Sequence, residues 1–181
     1  MLDPAVGPFL FDTSAESWLE RSTDLEVRQW VSSYAQYHSK HVSAITVMER
    51  LRGFALYMHR EPPGRQDNLA LRRQDYLDSL GTVRPVDTAV ALYAAELAAL
   101  LPQPPSAPKH AHRVLEVRQE RLFRWRCDIL IAATALVAAM PLVHHNPRDF
   151  ETIRMAIETS PQRFPTLGPL NLVSVLRLTA L

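Results

Sequence analysis

Five acidic or amide side chains stand at the ends of short β-rich runs or at the starts of helical patterns. They are Asp12, Glu49, Asp128, Asn146 and Asp149. Brought together, such carboxylates would repel one another by up to about 4 kcal/mol per close pair at an effective dielectric constant of about 20. A hard divalent cation removes that repulsion, and oxygen ligands without His or Cys suit Mg²⁺ or Mn²⁺. The residue types therefore predict a metal site.

The same side chains also have a purely structural interpretation. Aspartate and asparagine are preferred N-cap residues, so Asp12, Asp128 and the 146–149 segment can each start a helix. Glu49 can close a capping box on Thr46. Taken singly, each residue is better explained as a helix starter. It is their joint arrangement that favours a metal site over a set of unrelated caps.

The elements that must position these residues alternate along the chain. Five β-rich runs bounded by turn residues are each followed by a helical pattern. They are "FLFD" (9–12), "HVSAI" (41–45), "TVRPV" (82–86), "PLVHH" (141–145) and "LNLVSV" (170–175). Strands that alternate with helices predict an α/β fold whose parallel sheet is covered on both faces. In such a sheet the polar residues face the carboxyl edge, where ligands bind near the point at which strand order reverses.

Composition limits the class of protein. With 181 residues, 47% of them hydrophobic, the chain is expected to form a single domain over residues 1–181. A net charge of +1 does not indicate a polyanionic partner for the surface as a whole. The one cysteine, Cys127, fits a reducing compartment. The apolar run 129–143 is too short to span a bilayer and contains Pro141. We expect a cytoplasmic protein with no membrane partner.

Two proline-rich segments are predicted to be loops, "EPPGRQDN" (61–68) and "LPQPPSAPKH" (101–110). The helical patterns at 67–80 and 88–101 are predicted to be core helices or the contact helices of a homodimer. The second loop opens an inserted basic helical segment at about 102–126.

The basic segment has three interpretations. Between residues 109 and 126, six Lys and Arg side chains stand against two glutamates, a local net charge of +4. Arg118, Arg121 and Arg124 could hold RNA phosphates. The same arginines could instead dock an acidic segment of a protein partner, or they could line the solvated face of an amphipathic helix.

Three motifs, in this order, resemble those of PIN-domain proteins, especially the VapC-type toxins of bacterial and archaeal toxin–antitoxin pairs. They are "FLFDTS" (9–14), "VSAITVMERLRG" (42–53) and "DILIAATALVAAMPLVHHNPRDF" (128–150), in a matched region from about residue 8 to about residue 175. The resemblance implies a PIN-like three-layer sandwich with a five-stranded parallel sheet flanked by helices. It also implies Mg²⁺- or Mn²⁺-dependent endoribonuclease activity on an RNA substrate, controlled by a cognate antitoxin.

The resemblance also assigns roles to individual residues. Asp12, Glu49 and Asp128 match the family's three acids and are the expected metal ligands. Thr13 matches the hydroxyl residue beside the first acid, and Asn146 falls at the fourth site position. Asp128 is expected to open its helix, where a metal would offset the cost of placing an acid before an apolar run.

This chain departs from the family pattern around the fourth position. Asn146 stands where the family often has aspartate, so the site lacks one formal charge. His144 and His145 precede it, and we interpret them as an exposed strand end. Residues 101–126 and 160–168 are longer than the common core. Asp149 could contribute to the site through water, but we favour a helix cap completed with Asn146.

We therefore predict a metal-dependent endoribonuclease, the toxin of a toxin–antitoxin module, in which metal-activated water cleaves RNA phosphodiester bonds and no side-chain nucleophile is required. The alternative is a PIN-like RNA- or protein-binding subunit that has lost catalysis. The intact acids Asp12, Glu49 and Asp128 argue against this alternative, whereas Asn146 leaves room for it.

Overall fold

The computed structural model describes residues 2–105 and 118–178. Its strands are β1 (Leu10–Phe11), β2 (His41–Ser43), β3 (Thr82–Arg84), β4 (Leu142–His144) and β5 (Leu172–Ser174). The α-helices of this described part are α1 (Thr13–Arg21), α2 (Leu25–Tyr37), α3 (Ala44–Arg60), α4 (Pro63–Asp78), α5 (Thr88–Leu100), α6 (Arg118–Val137) and α7 (Pro147–Thr159). Two short 3-10 helices, Pro161–Arg163 and Val175–Arg177, flank β5.

The five strands form one parallel sheet in the order β3-β2-β1-β4-β5. Phe11 of β1 lies opposite Val42 of β2 on one side and Val143 of β4 on the other. The chain thus builds outward from β1 in both directions, and strand order reverses between β1 and β4. The predicted α/β sandwich with a five-stranded parallel sheet is confirmed. Asp12 and Asn146 lie just past the two strands at the reversal, where α/β sheets bind ligands.

Alternation along the central strands fills a core on each face of the sheet. Leu10 and Leu142 belong to the cluster that α5, α6 and α7 cover. Phe11 and Val143 belong to the opposite cluster, which includes Trp30 of α2. The central strand β1 is apolar at both positions because both faces of the sheet are buried there, as is usual in parallel sheets.

The predicted start of a helix at Asp128 is wrong. The helix α6 begins at Arg118, so Asp128 lies in the middle of its 20 residues. The charged segment before Asp128 is rich in good helix formers. It also supplies the buried Trp125 to the core. The segment 118–126 is therefore continuous with the apolar helix rather than a separate insertion, while residues 106–117 of the predicted insertion lie outside the described residues.

The predicted loop at 61–68 is mostly helical. The helix α3 ends at Arg60 and α4 begins at Pro63, so two residues separate them. Proline suits the first position of a helix because no helical N–H donor is needed there. The helical patterns at 67–80 and 88–101 are found as α4 and α5. Within residues 2–105 and 118–178, no helix has the length and apolar character needed to cross a membrane.

A buried carboxylate ties together the two helices that carry the first two predicted site acids. Glu16 of α1 is 2% exposed and accepts a hydrogen bond from Lys40 Nζ at 2.8 Å. Arg50 Nε of α3 lies 3.8 Å from the same carboxylate, and the Tyr76 hydroxyl of α4 lies 3.5 Å from it. This network fixes α1 against α3 one turn beyond Asp12 and next to Glu49.

Candidate functional site

Asp12 both caps a helix and faces the site. Its Oδ1 accepts the Ala15 N–H at 2.6 Å at the start of α1, and its Oδ2 accepts the Ser14 hydroxyl at 2.6 Å. The side chain is 3% exposed. Burial is the main cause that raises the pKa of Asp12 to about 6, and the nearby charge of Glu49 adds to the rise. The predicted helix cap at Asp12 is confirmed, and the burial of its carboxylate near Glu49 is compatible with the predicted metal site.

Glu49 does not form the predicted capping box with Thr46. The helix α3 starts at Ala44, and its N-cap is Ser43, whose hydroxyl accepts the Ile45 N–H at 3.2 Å. Glu49 consequently falls in the second turn, clear of the backbone donors. Its Oε2 instead accepts the Thr13 hydroxyl at 2.5 Å.

A second donor to Glu49 comes from α6. The Cys127 thiol donates to the Glu49 carboxylate. Burial raises the pKa of Glu49, while the hydrogen bonds from Thr13 and Cys127 lower it. Burial, followed by the charge of Glu49, also raises the pKa of Cys127 to about 12, so the thiol stays protonated and able to donate.

Asp128 reaches the same place from the middle of α6. Burial is the largest cause that raises its pKa well above the usual range, followed by the charges of Asp12, Asp149 and Glu49. Arg124 acts in the opposite direction. The structure thus brings the three predicted acids together and adds Asp149 to them.

Asn146 turns its amide toward the acids. It is the N-cap residue of α7, but its side chain makes no capping hydrogen bond to the backbone. Its Nδ2 donates to Asp149 Oδ2 at 2.8 Å and lies 3.4 Å from Asp128 Oδ2. The predicted side-chain cap by Asn146 and Asp149 is therefore wrong. The pair instead links α7 to α6, because a neutral donor between two carboxylates relieves part of their repulsion.

The two histidines before Asn146 have different environments. His144 is 3% exposed and its ring lies 5.4 Å from that of Phe150. The prediction of an exposed position is therefore wrong for His144. Its burial also lowers the pKa of the imidazole. His145 is exposed, as predicted, with its ring 6.1 Å from Trp18. Its backbone N–H donates to the Ser14 hydroxyl at 3.3 Å.

The three arginines predicted to bind RNA or a partner also have different environments. Arg121 donates to the Pro105 carbonyl oxygen and so anchors the preceding loop. Arg118 is exposed at the start of α6. Arg124 lowers the pKa of both Glu49 and Asp128 by its charge, so of the three it is the one that acts on the acids.

Several residues near the acids carried no signal in the sequence analysis. They are Ser14, Cys127, Arg52 and Glu120. Ser14 could have been noticed from its place beside the first acid. The others depend on contacts between α3 and α6, such as Arg52 with Glu120 across 68 residues of sequence, and spacing does not reveal such contacts.

The donor set suits a hard divalent cation. Asp12 supplies buried carboxylate oxygens, and Glu49 and Asp128 supply half-buried ones. After burial, repulsion by neighbouring acids contributes to the raised pKa values of Asp12 and Asp128. Mg²⁺ takes one or two carboxylates and keeps several waters, so partial ligation by protein is normal for it. Among the described residues, no group of three or more His, Cys, Asp or Glu side chains is placed so that it could hold a metal ion with the side chains as they stand.

The raised pKa of Asp12 predicts how the metal-free protein responds to pH. The folded protein holds a proton on Asp12 up to a pH of about 6, whereas a free aspartate releases it near 3.8. The native state binds more protons in this window, so the free energy of unfolding falls as pH rises through it. We expect this contribution to be about 1–3 kcal/mol.

Urea unfolding in EDTA at pH 4.5 and 7.5 measures the effect. The pH dependence of the wild type minus that of Asp12→Asn isolates this group, and Asp67→Asn on the exposed face of α4 is the charge-matched control. Identical pH dependences for the wild type and Asp12→Asn would contradict the prediction.

Replacing Asn146 with aspartate is expected to have opposite effects on the free and metal-bound states. The change removes the amide that donates to Asp149 and Asp128 and adds a charge beside them. We expect the metal-free protein to lose about 1–2 kcal/mol of stability, in line with two nearby like charges at high effective dielectric. Mn²⁺ should bind more tightly, because another anionic oxygen becomes available.

Calorimetric titration with Mn²⁺ tests the expected gain in metal affinity, and thermal melts in EDTA test the expected loss of stability. Asn68→Asp on exposed α4 adds the same charge elsewhere. If Asn146→Asp gained stability in EDTA, Asn146 would not be the link between the acids described above.

The chain matches a known protein family and several solved structures. A family model described as PIN domain matches residues 9–154. A comparison with curated protein sequences gave no match. Solved structures gave matches along most of the chain.

Structures with TM-scores above 0.5 include two complexes bound to DNA and a third structure. VapBC2 from Rickettsia felis, bound to a DNA fragment from its promoter, has a TM-score of 0.57 at 14% identity, covering 92% of this chain and 97% of that one. FitAB bound to an IR36 DNA fragment has a TM-score of 0.58 at 20% identity, covering 93% and 95%. FitAcB from Neisseria gonorrhoeae has a TM-score of 0.53 at 23% identity, covering 81% and 93%. At these identities the likeness concerns the fold.

Proposed function

The chain belongs to the PIN domain family, and from that premise we propose that it is a divalent-metal-dependent endoribonuclease, the toxin of a toxin–antitoxin pair. One observation carries the proposal. Asp12, Glu49 and Asp128 come from three separate helices or helix starts and meet at the switch point of the sheet. A purely structural role would not require one buried and two half-buried acids to lie close together, because their repulsion costs free energy.

In this proposal Asp12, Glu49 and Asp128 hold Mg²⁺ or Mn²⁺. When bound, such an ion lowers the pKa of a water ligand and offsets the charge of the scissile phosphate. The protein positions the acids in advance. Thr13 and Cys127 orient Glu49, while Ser14 and the Ala15 N–H orient Asp12.

Asn146 and Asp149 complete this arrangement. The Asn146 amide holds Asp149 and lies beside Asp128, so the fourth position contributes a hydrogen-bond donor to the acids. Asp149 contributes the fourth carboxylate from α7. We propose that both act by positioning Asp128 and that Asp149 contacts the metal through water.

The toxin role and its partners extend the same proposal. VapBC2 and FitAB, whose fold this chain shares, support a protein partner of the antitoxin kind. We also propose a homodimer, since α4 and α5 expose Leu71 and Leu92. A cytoplasmic location is part of the same proposal. Arg118 and Arg124 are the proposed contacts of the basic helix with RNA or with the antitoxin, whereas Arg121 stays bound to its loop.

The test is cleavage of single-stranded and structured RNA by the purified protein with Mg²⁺, with Mn²⁺ and with EDTA. We expect endonucleolytic products with either metal and none with EDTA. The second candidate, a binding subunit without catalysis, is favoured by the amide at Asn146. RNA binding without cleavage under any metal condition would decide for that candidate.

A further inference from the structure

One carboxylate bridges two arginines at the border of the acidic site. Arg52 of α3 donates from Nη1 to Glu120 Oε1 at 2.9 Å and from Nη2 to Glu120 Oε2 at 2.6 Å. Arg124 of α6 places its Nε 3.6 Å from the same Oε1. Glu120 therefore lies between two guanidinium groups that come from different helices.

This bridge stands one helical turn from the proposed metal ligands. Arg52 follows Glu49 by three residues on α3, and Arg124 precedes Asp128 by four residues on α6. Residues at these spacings share a helix face. Both arginines lower the pKa of Glu49 by their charge, and Arg124 does the same for Asp128. The two cations therefore lie close enough to act on the acids directly.

Stability alone is a weak reason for this arrangement. The side chains of Arg52, Glu120 and Arg124 are 38%, 29% and 62% exposed. Ion pairs with this much exposure contribute little to the free energy of folding. The Arg52 guanidinium is also oriented, with its carbon 4.6 Å from the centroid of the Phe123 ring. A guanidinium that donates two parallel hydrogen bonds to a carboxylate can donate to a phosphate in the same geometry.

The cluster of acids repels RNA, so a cationic group is needed beside it. RNA is a polyanion, and its backbone must approach Asp12, Glu49, Asp128 and Asp149. Like charges at close range oppose that approach. A metal ion offsets the charge at the scissile phosphate, but the neighbouring phosphates need cations of the protein. Arg52 and Arg124 are placed to supply them.

We propose that Arg52 and Arg124 form a binding subsite for an RNA backbone phosphate next to the scissile one, and that the Glu120 carboxylate occupies this subsite in the free protein. The inference rests on the proposed ribonuclease function. Glu120 is partly exposed on α6, so its side chain can turn into solvent when a phosphodiester takes its place. The protein thus carries an internal competitor that RNA displaces.

The experiment measures binding of a labelled single-stranded RNA oligonucleotide by fluorescence anisotropy, in EDTA so that no cleavage occurs. We expect Glu120→Gln to lower the Kd for RNA about threefold to tenfold, since it removes a competing charge and leaves both arginines. Glu158→Gln is the matched control. Glu158 also pairs with an arginine, Arg154, but lies near the far end of α7. The Kd of Glu158→Gln for RNA should therefore stay within about twofold of the wild-type value.

Arginine variants test the other half of the subsite. Arg52→Gln and Arg124→Gln should each raise the Kd about threefold to tenfold and make the salt dependence shallower by about one counterion. Arg154→Gln, which removes the arginine that pairs with Glu158 on α7, should change the Kd by less than about twofold. In the Arg52→Gln/Arg124→Gln background, Glu120→Gln should have no further effect, because the competitor would have no subsite to occupy. Far-ultraviolet circular dichroism and thermal melts verify that each variant is folded.

A Glu120→Gln protein that binds RNA no more tightly than the wild type would overturn the inference. Glu120 would then only form a structural ion pair between α3 and α6. Persistence of the Glu120→Gln effect in the double arginine background would overturn it as well. The ribonuclease function fails separately, by absence of metal-dependent cleavage in the wild type. Cleavage by the wild type with unchanged Glu120→Gln binding removes the subsite alone.

Discussion

An Asp128→Asn protein is expected to cleave RNA at least about 100-fold more slowly than the wild type, a loss in the range seen when one preorganised charged or ligating group is removed. It should nevertheless fold, and in EDTA it should be more stable than the wild type. Both expectations have the same cause. Asp128 faces the charges of Asp12, Asp149 and Glu49. This concentration of charge is useful when a cation is bound and unfavourable when none is.

Asparagine is a suitable replacement because it keeps the shape of aspartate and one acceptor oxygen, but not the charge. The stability gain should be about 1–3 kcal/mol in EDTA, with part or all of it lost in Mn²⁺, which stabilises the wild type by mass action. Asp12→Asn should behave similarly in cleavage. Cleavage rates per folded molecule and urea unfolding with and without Mn²⁺ measure both effects.

Asp67→Asn is the control for the loss of one negative charge from an exposed position. It should leave both cleavage and the metal dependence of stability unchanged. Full activity of purified Asp128→Asn would remove Asp128 from the proposed metal ligands. A loss of activity together with a loss of stability in EDTA would mean that Asp128 supports the fold and that its repulsion by the neighbouring acids is unimportant.

Glu16→Gln is expected to cost about 2–4 kcal/mol of folding free energy, because removing one partner of a buried charge network leaves the others uncompensated. Glu16 is 2% exposed and holds Lys40 Nζ at 2.8 Å. Arg50, whose side chain is 15% exposed, would keep its charge in a largely buried place beside the Tyr76 ring.

The chain offers a close control in Glu20→Gln. Glu20 lies one turn further along α1 and pairs with the same Arg50, but its side chain is 47% exposed. Its loss should cost about 0–1 kcal/mol, as exposed ion pairs do. Urea unfolding at pH 7 compares the two variants directly. Equal losses for Glu16→Gln and Glu20→Gln would show that burial does not set the strength of this network.

Local patterns were sufficient for the strands and for the candidate acids. Each strand lies in a short β-rich run bounded by turn residues, and this pattern leaves few other structures for such a run. Asp12 and Asn146 were predicted at the carboxyl edge for the same reason, since a residue that follows a parallel strand lies at that edge in any arrangement of the strands. The motifs around Glu49 and Asp128 agreed in order and spacing with a known family.

Helix boundaries and caps were predicted less well. Asp128 was assigned to a helix start because aspartate commonly begins helices, but α6 continues through it from Arg118. Ser43 caps α3 where Thr46 was expected, and Asn146 donates to acids rather than capping α7. Asp128 and Asn146 could each have bonded to the backbone at a helix start, but they are joined to each other across α6 and α7. Propensity reports the local partner, whereas packing decides between them.

The sequence by itself thus determined the parallel α/β architecture, the strand ends and the identity of the acids, because these depend on periodicity and residue type within short segments. Tertiary structure alone decided what surrounds each acid. The Thr13 and Cys127 bonds to Glu49, the place of Asp149 beside Asp128, and the Arg52–Glu120–Arg124 bridge join residues far apart in the chain. Their energies depend on distance and burial, which exist only after the helices have packed on the sheet.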